Sequence, residues 1–284
     1  MIEARPSRTA LRVAMRRAAH QLFDNPKVLD DPIAMPIIGP KAAGKLKTES
    51  PDAFGKFGLG IRAFMVARSR YAEDALARSI QRGAMQYVIL GAGLDTFAYR
   101  SPYAESALRV FEVDYPATQE WKRRNLKEAE IAIPASVTYA PVDFEHQTLA
   151  EGLRLAGFDA AKPTFFSWLG VTMYLTDDAI TSTFSLIAST PPGGGVAFDY
   201  AIPIESLSFL GRVAMRAMMQ RVAAAGEPFV TFFEPDALKA RLLGMGFHGI
   251  EDLGADEINA RYFGNRTDNL RVMGRLGRLM SAEI

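Results

Sequence analysis

The 284-residue chain is long enough for one large α/β domain or two smaller ones, and it buries roughly 70–75% of its surface on folding without covalent staples. It contains no cysteine, which excludes disulfides, thiolate zinc sites, iron–sulfur clusters and cysteine nucleophiles. Its 33 basic and 32 acidic side chains leave a net charge of +1, too little to draw it to nucleic acid or an anionic membrane. The expected partner is a small molecule.

The start carries Arg5, Arg8, Arg12, Arg16 and Arg17 with no apolar core after them, which argues against a secretory signal. It reads either as an Arg-rich transit peptide or as a first structural helix, with a cytoplasmic location as the default. Leu11, Met15, Ala18 and Leu22 recur at helical spacing and predict a helix over 9–23. Arg8, Arg12, Arg16 and His20 form a second stripe. Prolines at 26, 32, 36 and 40 punctuate the next stretch, residues 41–58 read as a polar mobile loop, and a further helix is expected over 59–82.

Beyond Gly83 short β-rich runs at 86–90, 109–113, 137–142, 164–168, 196–200, 247–253 and 270–273 alternate with helical stretches at 116–129, 146–156, 177–189 and 235–245. The longest uncharged run, 179–198, is broken by Pro191, Pro192 and three glycines, so it is no membrane-spanning helix. Alternation of apolar strands and helices predicts a doubly wound, mostly parallel α/β sheet. The single domain divides into an N-terminal helical cap (1–82), a cofactor-binding core (83–202), a helical insertion (203–228) and a C-terminal completion of the sheet (229–284).

Residues 88–96 (VILGAGLDT) run an apolar strand into a glycine turn. Gly91 and Gly93 let the backbone take positive φ and approach a ligand closely. Thr96 stands where the third glycine of a dinucleotide fingerprint would fall, which counts against a pyrophosphate. Asp114 ends the next strand and is suited to accept from both hydroxyls of a ribose. Asp143, with Phe144 beside it, ends the third and suits an adenine amino group and ring. Either acid alone reads equally as a turn cap. Arg68 lies on the apolar stripe of Ile61, Phe64, Tyr71, Ala72 and Ala75, where a guanidinium must be answered. It is either a buried ion-pair member or a bidentate holder of a ligand carboxylate. A ligand with adenine, ribose and an amino-acid carboxylate satisfies all three residues, and S-adenosylmethionine is such a ligand.

The stretches His20-Gln21-Leu22-Phe23 with Asp30-Asp31-Pro32, Ala67–Tyr71 (ARSRY), 88–100 (VILGAGLDTFAYR) and 111–116 (FEVDYP) resemble the leucine carboxyl methyltransferase superfamily. They are most similar to its bacterial S-adenosylmethionine-dependent O-methyltransferases of secondary metabolism. The resemblance implies a Rossmann-like methyltransferase sheet. It places the cofactor carboxylate on Arg68, the methionine end on Gly91 and Gly93, the ribose on Asp114 and the adenine on Asp143 and Phe144. Ala92, Tyr115 and Leu169 complete the expected cofactor set. Leu169 departs from the family, which carries glutamate there.

Methyl transfer needs an acceptor oxygen aligned with the methyl and shielded from water. A carboxylate acceptor requires no base, whereas a phenol does. His20 is the candidate base by the resemblance, although it reads equally as a member of the arginine stripe. Tyr174 and Tyr200, just past the fourth and fifth strands, are expected either against the acceptor, with Tyr174 the catalytic candidate, or as core aromatics with satisfied hydroxyls, and Met218 is expected against the acceptor. Met215, Met218 and Met219 suggest an apolar lid within the insertion. No metal-ligating cluster is expected. The competing readings are an NAD-dependent oxidoreductase and a non-catalytic cofactor-binding protein.

Overall fold

The structure, a computed structural model, describes residues 7–49, 55–143, 146–206, 212, 216, 219 and 228–284. Phe144 and Met218, and most of the expected lid insertion, lie outside the described residues.

Four helices come first: α1 (Arg8–Phe23), α2 (Ala34–Ile37), α3 (Gly39–Lys47) and α4 (Gly55–Gln81). Next come β1 (Gln86–Leu90), β2 (Arg109–Asp114), α5 (Pro116–Glu128), β3 (Val137–Pro141), α6 (Leu149–Leu155), β4 (Thr164–Trp168), α7 (Asp177–Ala188) and β5 (Gly195–Ala201). The chain ends with α8 (Pro235–Gly244), β6 (His248–Leu253), α9 (Ala255–Tyr262) and β7 (Gly277–Glu283). The seven strands form one sheet in the order β3-β2-β1-β4-β5-β7-β6. The first five are parallel, and β7 inserts antiparallel between β5 and β6. This is the doubly wound, mostly parallel Rossmann-like methyltransferase sheet expected from the sequence.

Strand alternation separates two cores. Tyr87 and Ile89 of β1 face α4, packing with Val66, Ala67, Tyr71 and Phe165. Val88 and Leu90 face the other side, with Phe111, Phe166, Phe184 and Phe198. A third cluster joins α1, α2 and α3 through Ala14, Ala18, Ile37 and Leu46, and reaches Leu94 of the glycine turn. The N-terminal helices are therefore seated on the edge of the sheet where the parallel strands end. The order of strands reverses at β1, between β2 and β4, and such a switch point opens a crevice outside the strands' carboxyl ends.

Three expectations are corrected. The stretch 41–58 contains α3, begun by Gly39-Pro40 and pinned by buried Leu46. Residues 270–273 form no strand: Asn259 of α9 takes the place of a ladder partner, accepting from the Val272 N–H at 2.8 Å and donating to its carbonyl at 3.0 Å. The last strand lies later, at β7, where Leu279 and Met280 are fully buried. Among the described residues no helix is long and apolar enough to cross a membrane.

Candidate functional site

A cavity of about 270 Å³ opens at the switch point. Its floor is the turn after β1 (Gly91 to Asp95), its walls are Asp114 at the end of β2 and Leu169 to Val171 after β4, and Arg68 of α4 closes one end. Ala10, Val13, Ala14 and Arg17 of α1 cover it, and Tyr174 stands at its rim in a short 3-10 turn, Thr172–Tyr174. Two wider surface hollows, around Glu251 and Arg261 and around Arg123 and Lys127, share no residue with it.

The turn is held by its own backbone and by Asp114. Ala92 N–H donates to the Val113 carbonyl at 3.0 Å, and Gly93 N–H to Oδ2 of Asp114 at 2.5 Å. Oδ1 of Asp114 accepts from Tyr115 N–H at 2.7 Å and the Thr118 hydroxyl also bonds the carboxylate, which leaves part of its accepting capacity open to the cavity it lines. Burial raises the Asp114 carboxyl above the usual carboxylate range, against the opposing pull of the two amides. Gly91 has φ +66°, and a Cβ there would sit 2.5 Å from Cγ2 of Val171. Only glycine leaves this floor open. Thr96 is fully buried with its hydroxyl on Oδ2 of Asp31 at 2.7 Å. It fills the place where a pyrophosphate-binding turn needs bare backbone, so the structure gives no support to the nicotinamide alternative.

Arg68 is 5% exposed. Its Nη1 donates to Oδ2 of Asp199 on β5 at 2.8 Å. Among the described residues its other N–H groups carry no hydrogen bond, and none of them is sealed from the cavity it lines. The ion-pair reading of Arg68 holds, and the residue borders the cavity with donors that this pair does not use.

The other expected residues divide. Ala92, Leu169 and Tyr174 line the cavity, and the Tyr174 ring packs edge-on against Phe229 with centroids 5.3 Å apart. Tyr115 is 38% exposed and caps α5, contributing its N–H to Asp114. Asp143 lies just past β3, half-buried, with Oδ2 3.1 Å from Nδ1 of His146, and it is not part of the described cavity wall.

His20 is a correction. It is fully buried and both ring nitrogens are engaged: Nδ1 lies 2.8 Å from Oδ2 of Asp24, while Nε2 accepts from Val28 N–H at 2.9 Å. That pattern fixes the neutral tautomer with hydrogen on Nδ1 and makes the ring a clasp between α1 and the loop after it. It does not face the cavity. Tyr200 is also corrected. It is 1% exposed, its hydroxyl donates to Asp252 at 3.0 Å, and its ring packs beside Phe198 and Phe233 on the opposite face of the sheet from Arg68.

Asp199 and Arg17 escaped the sequence reading. An acid inside the apolar run Val196-Ala197-Phe198-Asp199-Tyr200 was the available signal, since alternation turns it to the face opposite Phe198 and Tyr200, toward α4. Arg17 donates to the Leu94 carbonyl and lies 3.6 Å from both Asp31 and Asp95, bolting α1 to the glycine turn.

The family model of leucine carboxyl methyltransferase matches residues 10–188. YktD of Bacillus subtilis (strain 168), which carries the name of an S-adenosyl-L-methionine-dependent methyltransferase, is 37% identical over 288 residues, covering 93% of each chain. A similarly named protein of Mycolicibacterium paratuberculosis is 32% identical over 78% of this chain and 73% of its own. Two crystal structures share the fold: a DUF574 family protein from Streptomyces avermitilis (16% identity, 96% of both chains, TM-score 0.53) and a protein from Thermobifida fusca described as a methyltransferase (15% identity, 99% of this chain and 96% of its own, TM-score 0.56). With more than half its length inside that family model and 37% identity to YktD over 93% of its length, the chain belongs to the leucine carboxyl methyltransferase family.

Proposed function

We propose that the protein is an S-adenosylmethionine-dependent O-methyltransferase that esterifies the carboxylate of a small hydrophobic molecule. The observation that carries this reading is the pairing, across one glycine turn, of a carboxylate with open lone pairs (Asp114) and a guanidinium with unused donors (Arg68). The residues fit the cofactor: Asp114 accepts from the ribose hydroxyls, Arg68 takes the amino-acid carboxylate, and the Gly91–Gly93 turn leaves room for the chain between them. When bound, the cofactor supplies a methyl group on a positively charged sulfur. Transfer of that methyl to an acceptor oxygen would leave the sulfur as a neutral thioether.

The chain's part is to orient and to exclude water. Ala10, Val13 and Ala14 of α1 roof the turn with apolar surface, and Leu169 and Val171 wall it. The carboxylate acceptor is favoured over a phenol by the acid–base groups present. Among the described residues no histidine lines the cavity: His20 is the structural clasp, and His146 and His248 are exposed beside Asp143 and Glu283. Asp95 does line it, but is occupied by the Phe97 N–H at 2.8 Å and the nearby Arg17. A phenol with a pKa near ~10 would need a proton acceptor there, whereas a carboxylate is already ionised. In this reading Tyr174 contacts the acceptor, a role supported by its position in the cavity lining.

The test is methyl transfer from labelled S-adenosylmethionine to a panel of apolar carboxylic acids and phenols. The expected product is an ester whose methyl is released by mild alkali. An alkali-stable methyl ether contradicts the carboxylate assignment. Cofactor binding with no transfer across the panel favours a non-catalytic protein.

A further inference from the structure

Asp199 joins three pieces of the cavity wall without lining the cavity itself. Oδ2 accepts from Nη1 of Arg68 on α4, Oδ1 accepts from the Gly170 N–H, and its main-chain carbonyl accepts from the Thr172 hydroxyl at 2.7 Å. Asp199 is 1% exposed and Thr172 is equally buried, so none of these bonds is shared with bulk water. The loop after β4 is pressed close to the guanidinium. Gly170 has φ +72°, and a Cβ there would come within 2.8 Å of both Nη1 and Nη2 of Arg68.

The ladder between β4 and β5 ends at Trp168 opposite Phe198, so Leu169 and Asp199 come directly after it on neighbouring strands. Leu169 brings no polar atom to this corner. Among the described residues Asp199 is the acid that holds Arg68. A guanidinium on a long side chain loses rotamer freedom when it binds a ligand, and anchoring one nitrogen beforehand removes much of that cost.

We propose that Asp199 is a positioning residue for the cofactor, fixing the Arg68 guanidinium and the Gly170 amide so that the remaining edge of Arg68 receives the amino-acid carboxylate. This rests on the proposed cofactor. Asp199 acts through Arg68 and does not itself meet the ligand. Its substitution must therefore weaken ligands that carry the carboxylate and spare those that lack it, which a loss of general packing would not do.

The experiment compares two ligands by calorimetry: S-adenosylhomocysteine, which has the carboxylate, and 5′-methylthioadenosine, which keeps the nucleoside and sulfur but has none. Asp199→Asn is expected to weaken S-adenosylhomocysteine at least about tenfold while 5′-methylthioadenosine stays within about twofold of the parent. Equal loss for both ligands, or no loss for either, overturns the positioning role. A parent chain that binds neither ligand overturns the cofactor reading and this proposal with it. If Asp199→Asn fails to fold, Thr172→Val releases the same hinge at smaller structural cost. It is expected to weaken S-adenosylhomocysteine selectively by about threefold, through one lost hydrogen bond. Parental affinity in that variant also overturns the proposal.

Discussion

Replacing Gly91 by alanine places a methyl carbon 2.5 Å from Cγ2 of Val171, where ordinary contact begins at 3.4 Å. The backbone at this position is left-handed, with φ +66°, which costs an L side chain roughly 1–2 kcal/mol. Relieving the overlap in a packed wall costs on the order of another 1–3 kcal/mol. The two together predict a destabilisation of about 3 kcal/mol, read as a melting point lower by on the order of 10 °C in a chain of this size. Val171 can yield only by moving within the cavity wall, so affinity for S-adenosylhomocysteine falls at least about tenfold. The double variant Gly91→Ala with Val171→Ala removes the colliding carbon and keeps the left-handed backbone. It recovers the steric share of the affinity and retains a residual stability loss of about 1–2 kcal/mol. Thermal melts and calorimetry on parent, single and double variants separate the two contributions. A single variant with parental melting point and affinity would refute the reasoning, as would a double variant no better than the single.

Asp114→Asn keeps the shape of the side chain but not its charge, and is expected to weaken the cofactor by about 1–3 kcal/mol in titration calorimetry. Burial raises the Asp114 carboxyl, and only the ionised form accepts from both ribose hydroxyls. Parental affinity therefore falls as pH drops through that raised value, sooner than for an ordinary carboxylate, and the Asn variant lacks this step. His20→Ala strands the Val28 N–H in a buried corner and leaves Asp24 with Arg62 alone, costing about 2–4 kcal/mol of stability in denaturant titration. Turnover of the folded enzyme stays unchanged, and a selective loss of kcat would restore His20 as a base. Lys122→Met removes the partner of fully buried Glu112, 2.7 Å away, and costs about 3–5 kcal/mol. Burial raises the Glu112 carboxyl against the opposing pull of Lys122, and once Lys122 is gone burial favours the neutral carboxyl. The loss is therefore expected to shrink as pH falls from about 8 to about 5, and a pH-independent loss contradicts this account.

Much of the site was legible because its chemistry and its burial conflict. A guanidinium on the stripe of Tyr71 and Ala72, and an acid at the end of an otherwise apolar strand, each demand a partner, and both border the cavity. The parallel strands were legible as short, mostly apolar runs, since strands covered on both faces carry few polar positions. What escaped depended on contacts between distant residues. Asn259 supplies side-chain hydrogen bonds to Val272, so an apolar alternation at 270–273 is buried without being a strand. His20 sits on a stripe with Arg16, and only the loop returning at Val28 reveals its ring as a clasp. Asp199 and Arg68 are 131 residues apart, and Arg68 looked unanswered until the fold brought Asp199 to it.

A crystal structure with S-adenosylhomocysteine tests the central claim most directly. The account predicts the ribose on Asp114 and the amino-acid carboxylate on the free edge of Arg68, with Asp199 still holding the opposite edge. A nucleoside bound elsewhere, or a carboxylate that leaves Arg68 untouched, would contradict it.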